Sequence, residues 1–133
     1  KDLQDAMSRQ NVRVQAGDAI LIYTGWCRLW NVDNAKYVRT NPGIGVAAAE
    51  WLVQQNPMLV GSDNWSVEVS PNPDAQANQP VHQIMLPVYG VHLIENMKLG
   101  DLAARRIYEF AFVVQPLKIQ GGTGSTVAPV AIR

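Results

Sequence analysis

Two short apolar runs separated by a helical segment dominate the first half of the chain. Ala19 to Tyr23 is an unbroken apolar run, which predicts a strand covered on both faces. Val46 to Asn56 predicts a helix, because it contains three consecutive alanines and Pro57 stops it. Met58 to Gly61 follows as a second buried strand. This strand–helix–strand spacing indicates a βαβ unit and therefore an α/β fold.

The rest of the chain alternates short helices and strands with loops. Further helices are predicted at Lys1 to Gln10, Val81 to Val88 and Leu99 to Arg105, and further strands at Val91 to Glu95, Ile107 to Val114 and Val127 to Ile132. Trp26 to Gly45 follows neither periodicity and predicts a long ordered loop with helical turns. Loops of this length within a compact domain are uncommon and tend to carry function.

Composition narrows the class of protein. The 133 residues carry 11 basic and 11 acidic side chains, so the formal net charge is zero. This length fits a single domain spanning residues 1–133. Neutral charge without a run of Lys or Arg excludes nucleic acid or an anionic membrane as the main partner. Cys27 is the only cysteine, which favours a reducing compartment, and we expect the cytoplasm.

The two histidines are the first candidates for chemistry. His82 follows a proline-rich loop, His92 lies in the predicted strand Val91 to Glu95, and Glu95 ends that strand. His and carboxylate side chains are common metal ligands, so His82 and Glu95 form a candidate metal pair if a helix and a turn fold back. Without further support, the alternative is that each histidine is a hydrogen-bonded structural residue.

Other polar residues follow the predicted strands. Asp18, Asp63 and Glu68 lie near strand ends, where ligands collect in α/β sheets, although a turn or cap carboxylate is the more common role at such positions and is the one we expect from the pattern alone. Trp26 in the long loop either lines an aromatic pocket or anchors the loop to the core. The glycine-rich segment 121–125 lacks the Gly-Lys-Ser/Thr ending of a phosphate loop and is interpreted as a turn.

Five segments, taken in order, resemble the cyclase family that includes bacterial kynurenine formamidases and isatin hydrolases. The matching stretches are Gly17 to Trp26 (GDAILIYTGW), Pro42-Gly43 with Ala49 to Leu52, Val60 to Asn64 with Val67-Glu68, Val81 to Leu99 with its His82 and Glu95-Asn96, and Pro116 to Val130. The resemblance covers nearly the whole chain. It implies a partial swivelling β/β/α-type domain, with a mixed sheet and flanking helices.

The resemblance also implies a function. Members of the family are metal-dependent hydrolases of cyclic or N-formyl amides, in which zinc or manganese activates water. Matched position by position, His82 and Glu95 fall on metal ligands of the family, whereas His92 does not and is kept as structural. Trp26, Asp63 and Asn64 are expected to form part of the substrate pocket, with a small amide or lactam as the substrate.

One motif of the family has no counterpart in this sequence. The N-terminal H-x-G-T-H-x-D-x-P-x-H supplies most metal ligands and the catalytic histidine, and two histidines are too few to form it. The chain therefore corresponds to the C-terminal part of the family fold, and we expect it to be inactive alone. We also expect it to form oligomers or to pair with the missing half. The alternatives are a non-catalytic binding or assembly module and a small α/β domain with an accidental likeness.

Overall fold

The computed structural model describes residues 1–133 and contains five short α-helices and five strands. The helices are Asp2–Gln10 (α1), Asn34–Arg39 (α2), Val46–Val53 (α3), Pro80–Gln83 (α4) and Gly100–Ala104 (α5). The strands are Ala19–Ile22 (β1), Leu59–Ser62 (β2), His92–Ile94 (β3), Ala111–Val113 (β4) and Val130–Ile132 (β5). A 3₁₀ turn covers Trp26–Leu29, and a π-helical turn covers Ile84–Val88.

Strands β1, β2 and β3 form a parallel sheet in that order. Helix α3 connects β1 to β2, so the predicted βαβ unit and the α/β fold class are confirmed. In the register, Ile20 lies beside Val60, and Val60 lies beside Leu93. The central strand β2 is buried along its whole length. All three strands run in the same direction, so their carboxyl ends lie at one edge of the sheet.

Hydrophobic side chains cover both faces of this sheet. One cluster packs α3 and the α4 region against it and includes Leu52, Val60 and Met85. The second cluster, on the other face, includes Leu59, Ile94 and Met97. Residues of β1 contact both clusters in alternation, as its unbroken apolar run predicts. Each remains partly exposed because β1 is an edge strand of this sheet.

Several predicted elements are shorter than expected, and helix α3 and strand β4 show why. Helix α3 ends at Val53 rather than Asn56, and Asn56 adopts a left-handed conformation with φ of 53°. The left-handed backbone cannot continue the helix. The strand predicted over Ile107 to Val114 is limited to Ala111–Val113, because its antiparallel partner β5 offers only three residues. None of the helices is long and apolar enough to cross a membrane.

Candidate functional site

The candidate site lies at the carboxyl edge of the parallel sheet, where the loops that follow the three strands meet. Thr24 follows β1, Asp63 follows β2 and Glu95 follows β3. In α/β proteins this edge is the usual position of a ligand site. Helix α4 brings His82 to the same edge.

His82 and Glu95, which the resemblance to the cyclase family places at one metal site, lie within contact distance of each other. Their separation of thirteen residues is closed by α4, the π-helical turn and β3. The His82 Nε2 atom is 3.3 Å from Glu95 Oε1. The His82 side chain is 22% exposed and that of Glu95 is 35% exposed, so both can be reached from solvent.

A third carboxylate, Glu68, binds His82 from its buried side. Glu68 Oε2 lies 2.9 Å from His82 Nδ1. The same oxygen accepts a hydrogen bond from the His82 backbone N–H, and Oε1 accepts one from the backbone N–H of Val81, both at 3.1 Å. The side chain of Glu68 is only 2% exposed. These bonds satisfy two free N–H groups at the start of α4 and thereby fix the position of the imidazole ring.

The two carboxylates favour a protonated imidazole. The hydrogen bond with Glu95 raises the pKa of His82 most, and Glu68 raises it further, while partial burial of the ring opposes both. In the neutral form, the ring nitrogen facing an ionised carboxylate must carry the proton, because a carboxylate only accepts hydrogen bonds. Glu68 makes the shorter contact and also accepts a hydrogen bond from the backbone N–H of His82, so the geometry favours Nδ1 as the protonated nitrogen of the neutral ring.

This donor set fits a divalent metal ion in part. Two ligands bound at about 2.0–2.2 Å in a tetrahedral site are themselves roughly 3.3–3.6 Å apart, which matches the distance between His82 Nε2 and Glu95 Oε1. Ser62 Oγ, at the carboxyl end of β2, is buried and has no hydrogen-bond partner in the chain. No group of three or more His, Cys, Asp or Glu side chains in residues 1–133 is placed to hold a metal ion. The chain therefore offers two candidate ligand side chains, His82 and Glu95, rather than a complete metal site.

Asp63, predicted for the substrate pocket, is fully buried and connects β1 to β2. Its Oδ1 accepts hydrogen bonds from the backbone N–H and the hydroxyl of Thr24, at 2.8 and 2.7 Å. Its Oδ2 lies 3.4 Å from the backbone nitrogen of Cys27. Burial first, and then the Asp63 carboxylate, raise the pKa of the Cys27 thiol. Asp63 thus holds the start of the long loop against the sheet edge.

Asn64 and Trp26, the other two predicted pocket residues, also bind the loop backbone. Asn64 is fully buried, donates to the carbonyl oxygen of Pro42 and accepts from the backbone N–H of Val67. Trp26 is half-buried and its indole N–H donates to the carbonyl oxygen of Tyr37 at 3.2 Å. The anchoring alternative for Trp26 is therefore realised in the structure. A direct contact of Trp26, Asp63 or Asn64 with substrate stays a prediction.

The sequence predicts the structural position of His92 but not all the contacts of Glu68. His92 is exposed at the first residue of β3, at the opposite end of the strand from Glu95. Glu68 was expected to be a turn or cap carboxylate, and it does cap α4. Its contact with His82 was not foreseen. The available signal was its position between Val67 and Val69, because a carboxylate in an apolar segment is buried only with donors around it.

A comparison with protein families identifies the fold. The family model described as "Putative cyclase" matches residues 1–69 of the 133. The chain belongs to this cyclase family. The matched residues include Trp26, Asp63, Asn64 and Glu68, and the match ends before His82 and Glu95.

A solved structure extends the match to the rest of this cyclase-family chain. The protein described as "a novel cyclase" is 31% identical to it, with a TM-score of 0.85, and the alignment covers 99% of this chain. The same alignment covers 45% of the other protein, so the chain spans less than half the length of this relative. Among curated proteins, none matches the chain. Both the family and the α/β fold with its parallel sheet and flanking helices are thus established.

Proposed function

We propose that this chain is the C-terminal part of a metal-dependent hydrolase of cyclic or N-formyl amides, to which it contributes His82 and Glu95 as metal ligands. The observation that carries the proposal is the approach of His82 Nε2 and Glu95 Oε1 to 3.3 Å at the carboxyl edge of the sheet. Membership of the cyclase family supports it. Zinc and manganese both accept imidazole and carboxylate ligands.

The chemistry follows from what the residues of this chain can hold. A bound divalent ion would lower the pKa of a coordinated water toward 7 and polarise an amide carbonyl. His82 presents its Nε2 lone pair once that nitrogen has lost its proton, and Glu95 presents a carboxylate oxygen. A catalytic zinc site takes three protein ligands and one water, so at least one more ligand must come from outside residues 1–133.

The remaining residues at this edge hold the loops in place. Asp63 fixes the loop after β1, and Asn64 fixes the backbone at Pro42 and Val67. These contacts fix the backbone of the loops at the sheet edge where His82 and Glu95 lie. We propose that these loops, together with Trp26, bind the small amide or lactam. We also propose that the enzyme is located in the cytoplasm.

The experiment is a reconstitution. The chain is mixed or fused with a cyclase-family polypeptide that carries H-x-G-T-H-x-D-x-P-x-H, and hydrolysis of N-formyl and lactam amides is measured with zinc or manganese. We expect metal-dependent activity that His82→Ala and Glu95→Ala reduce by at least a hundredfold. His92→Ala is the matched control and leaves it unchanged. A folded, metal-loaded assembly whose activity survives both ligand substitutions contradicts the proposal.

A non-catalytic binding or assembly module is the second candidate. It is favoured by the presence of only two candidate ligand side chains at the site. In that case, His82→Ala and Glu95→Ala leave partner binding or assembly unchanged, and reconstitution produces no hydrolysis.

A further inference from the structure

Glu68 uses both oxygens of its buried carboxylate at the start of α4. Three nitrogen atoms surround it: the backbone N–H groups of Val81 and His82 donate to it at 3.1 Å, and the imidazole Nδ1 of His82 lies 2.9 Å away. Glu95, in contrast, is 35% exposed and lies 3.3 Å from Nε2. Of the two carboxylates that contact this imidazole, Glu68 is buried and held by backbone N–H groups, whereas Glu95 is partly exposed.

The backbone around Glu68 is itself clamped. The carbonyl oxygen of Glu68 accepts a hydrogen bond from Asn41 Nδ2 at 2.7 Å. The neighbouring residue Val69 donates its N–H to Ile44 at 3.0 Å. Gly43 packs so closely against the Val67 and Glu68 backbone that a Cβ atom would overlap it. The backbone that carries this carboxylate is therefore held by contacts that do not involve His82.

We propose that Glu68 is a positioning residue that fixes His82 in the Nδ1–H tautomer and directs Nε2 toward the metal position beside Glu95, an inference that rests on the proposed function. Histidines that bind metals commonly donate their second ring N–H to a carboxylate, which fixes the tautomer and the ring orientation. Removing such a partner typically lowers metal affinity about 10–100-fold. The orientation of His82 is thus set by Glu68, which lies 14 residues earlier in the sequence.

The first test needs no metal. The chain contains two histidines, so ¹⁵N-histidine labelling gives two ring spectra, which the His92→Gln variant assigns. In the chelator-treated chain, at a pH where both rings are neutral, we expect the proton of His82 on Nδ1. We expect the exposed His92 to show mainly the Nε2–H form found in a free imidazole. A His82 ring with its proton on Nε2 overturns the proposal.

Substitution of Glu68 is the second arm. Glu68→Gln keeps the volume but removes the charge, and we expect a clear loss of the Nδ1–H preference and an affinity for zinc about 10–100-fold lower. Glu50→Gln, on the exposed face of α3, makes the same charge change and is expected to alter neither. Circular dichroism confirms that each variant is folded, and Glu68→Asp replaces Glu68→Gln if the latter is not.

The outcomes separate the two proposals. An unchanged tautomer in folded Glu68→Gln shows that Glu68 does not position the ring. The orienting role of Glu68 is retained if the tautomer depends on Glu68 but the His82 Nε2 signal does not respond to zinc in the chain assembled with the polypeptide that carries the missing motif. That second result contradicts the metal-ligand role of His82, and with it the proposed function.

Discussion

His82 lies between two carboxylates whose surroundings differ, and this difference gives its two ring nitrogens different tasks. Glu68 is buried and holds Nδ1, whereas Glu95 is partly exposed and faces Nε2. A buried carboxylate requires donors, because its desolvation is costly without them. The same requirement that stabilises Glu68 therefore fixes the imidazole, and stability and ligand geometry have one cause.

Substitution of Asp63 measures how much a buried carboxylate stabilises this edge of the sheet. Asp63→Ala removes the acceptor of the Thr24 N–H and hydroxyl bonds and leaves the Thr24 and Cys27 backbone groups without a partner. We expect a loss of about 3 kcal/mol in the free energy of unfolding, measured by urea denaturation. The exposed Asp74→Ala is the control, and a loss below about 1 kcal/mol is expected there. Equal effects of the two substitutions would show that Asp63 is not a structural support.

The pKa of the Cys27 thiol, which lies beside Asp63, gives a second measurement at this edge of the sheet. Burial and Asp63 raise the pKa of its thiol, so the folded chain binds this proton more tightly than the unfolded chain. The thiol therefore stabilises the fold below the ordinary thiol pKa, and this contribution is lost as the pH rises through the folded-state value. We expect the alkylation rate with iodoacetamide to reach its midpoint at a higher pH in the folded chain than in urea.

The variant Asp63→Asn provides the control for that measurement. It removes one of the two causes and is expected to move the midpoint in the folded chain downward, toward the value in urea. An identical midpoint in folded and unfolded chain would contradict the assigned surroundings of Cys27.

At the scale of elements, the parallel arrangement of β1, β2 and β3 creates the site. The loops that follow the three strands all begin at one edge of the sheet, because the strands run in the same direction. The apolar runs predicted these strands and the βαβ connection correctly, since burial on both faces leaves a clear hydrophobic signature. The approach of His82 to Glu95 was expected from the resemblance to the family, not from spacing alone.

The contacts of Glu68 were beyond the reach of the sequence for a physical reason. They depend on residues 41–44 lying beside residues 67–70, through isolated bridges at Asn41–Ser70 and Ile44–Glu68. Such pairing leaves no periodicity in the sequence, because each bridge involves one residue pair. The end of α3 was missed for a similar reason, since the left-handed conformation of Asn56 has only a weak sequence signal.

Substitution of Gly43 tests the packing of residues 41–44 against residues 67–70 directly. A Cβ atom at Gly43 would overlap the backbone of Val67 and Glu68, which cannot move aside as a flexible side chain can. Gly43→Ala is therefore expected to cost about 1–3 kcal/mol in the free energy of unfolding. Gly45→Ala is the matched control, because no atom lies within 4 Å of the added Cβ there. Gly43→Ala as stable as Gly45→Ala would contradict the packing of the two segments.

At the scale of the whole molecule, the segment from Tyr108 to the C-terminus leaves six large hydrophobic side chains exposed. The exposed large hydrophobic side chains there are Tyr108, Val113, Leu117, Ile119, Val130 and Ile132. Exposed apolar surface and open strand edges favour association with other chains. The alignment with the solved cyclase covers 45% of that protein, so more than half of the relative has no counterpart in this chain.

We therefore expect the isolated chain to self-associate through β4 and β5. Light scattering after size-exclusion chromatography should give a mass well above the 14.7 kDa of one chain. The double substitution Val113→Lys with Ile132→Lys should shift the mass toward the monomer, because two charges replace exposed apolar groups of the paired strands. Val32→Lys, at an exposed valine in the loop after β1, is the control. A wild-type chain that is strictly monomeric contradicts this expectation.

The central claim is that His82 and Glu95 bind one divalent ion, and calorimetric titration with zinc tests it most directly, on the chain assembled with the polypeptide that carries the H-x-G-T-H-x-D-x-P-x-H motif. We expect zinc binding by the wild-type assembly and by its His92→Ala variant, and an affinity at least tenfold weaker for His82→Ala and for Glu95→Ala. Zinc binding by His82→Ala and Glu95→Ala that is as tight as that of His92→Ala, or no zinc binding by the wild-type assembly, would contradict the claim.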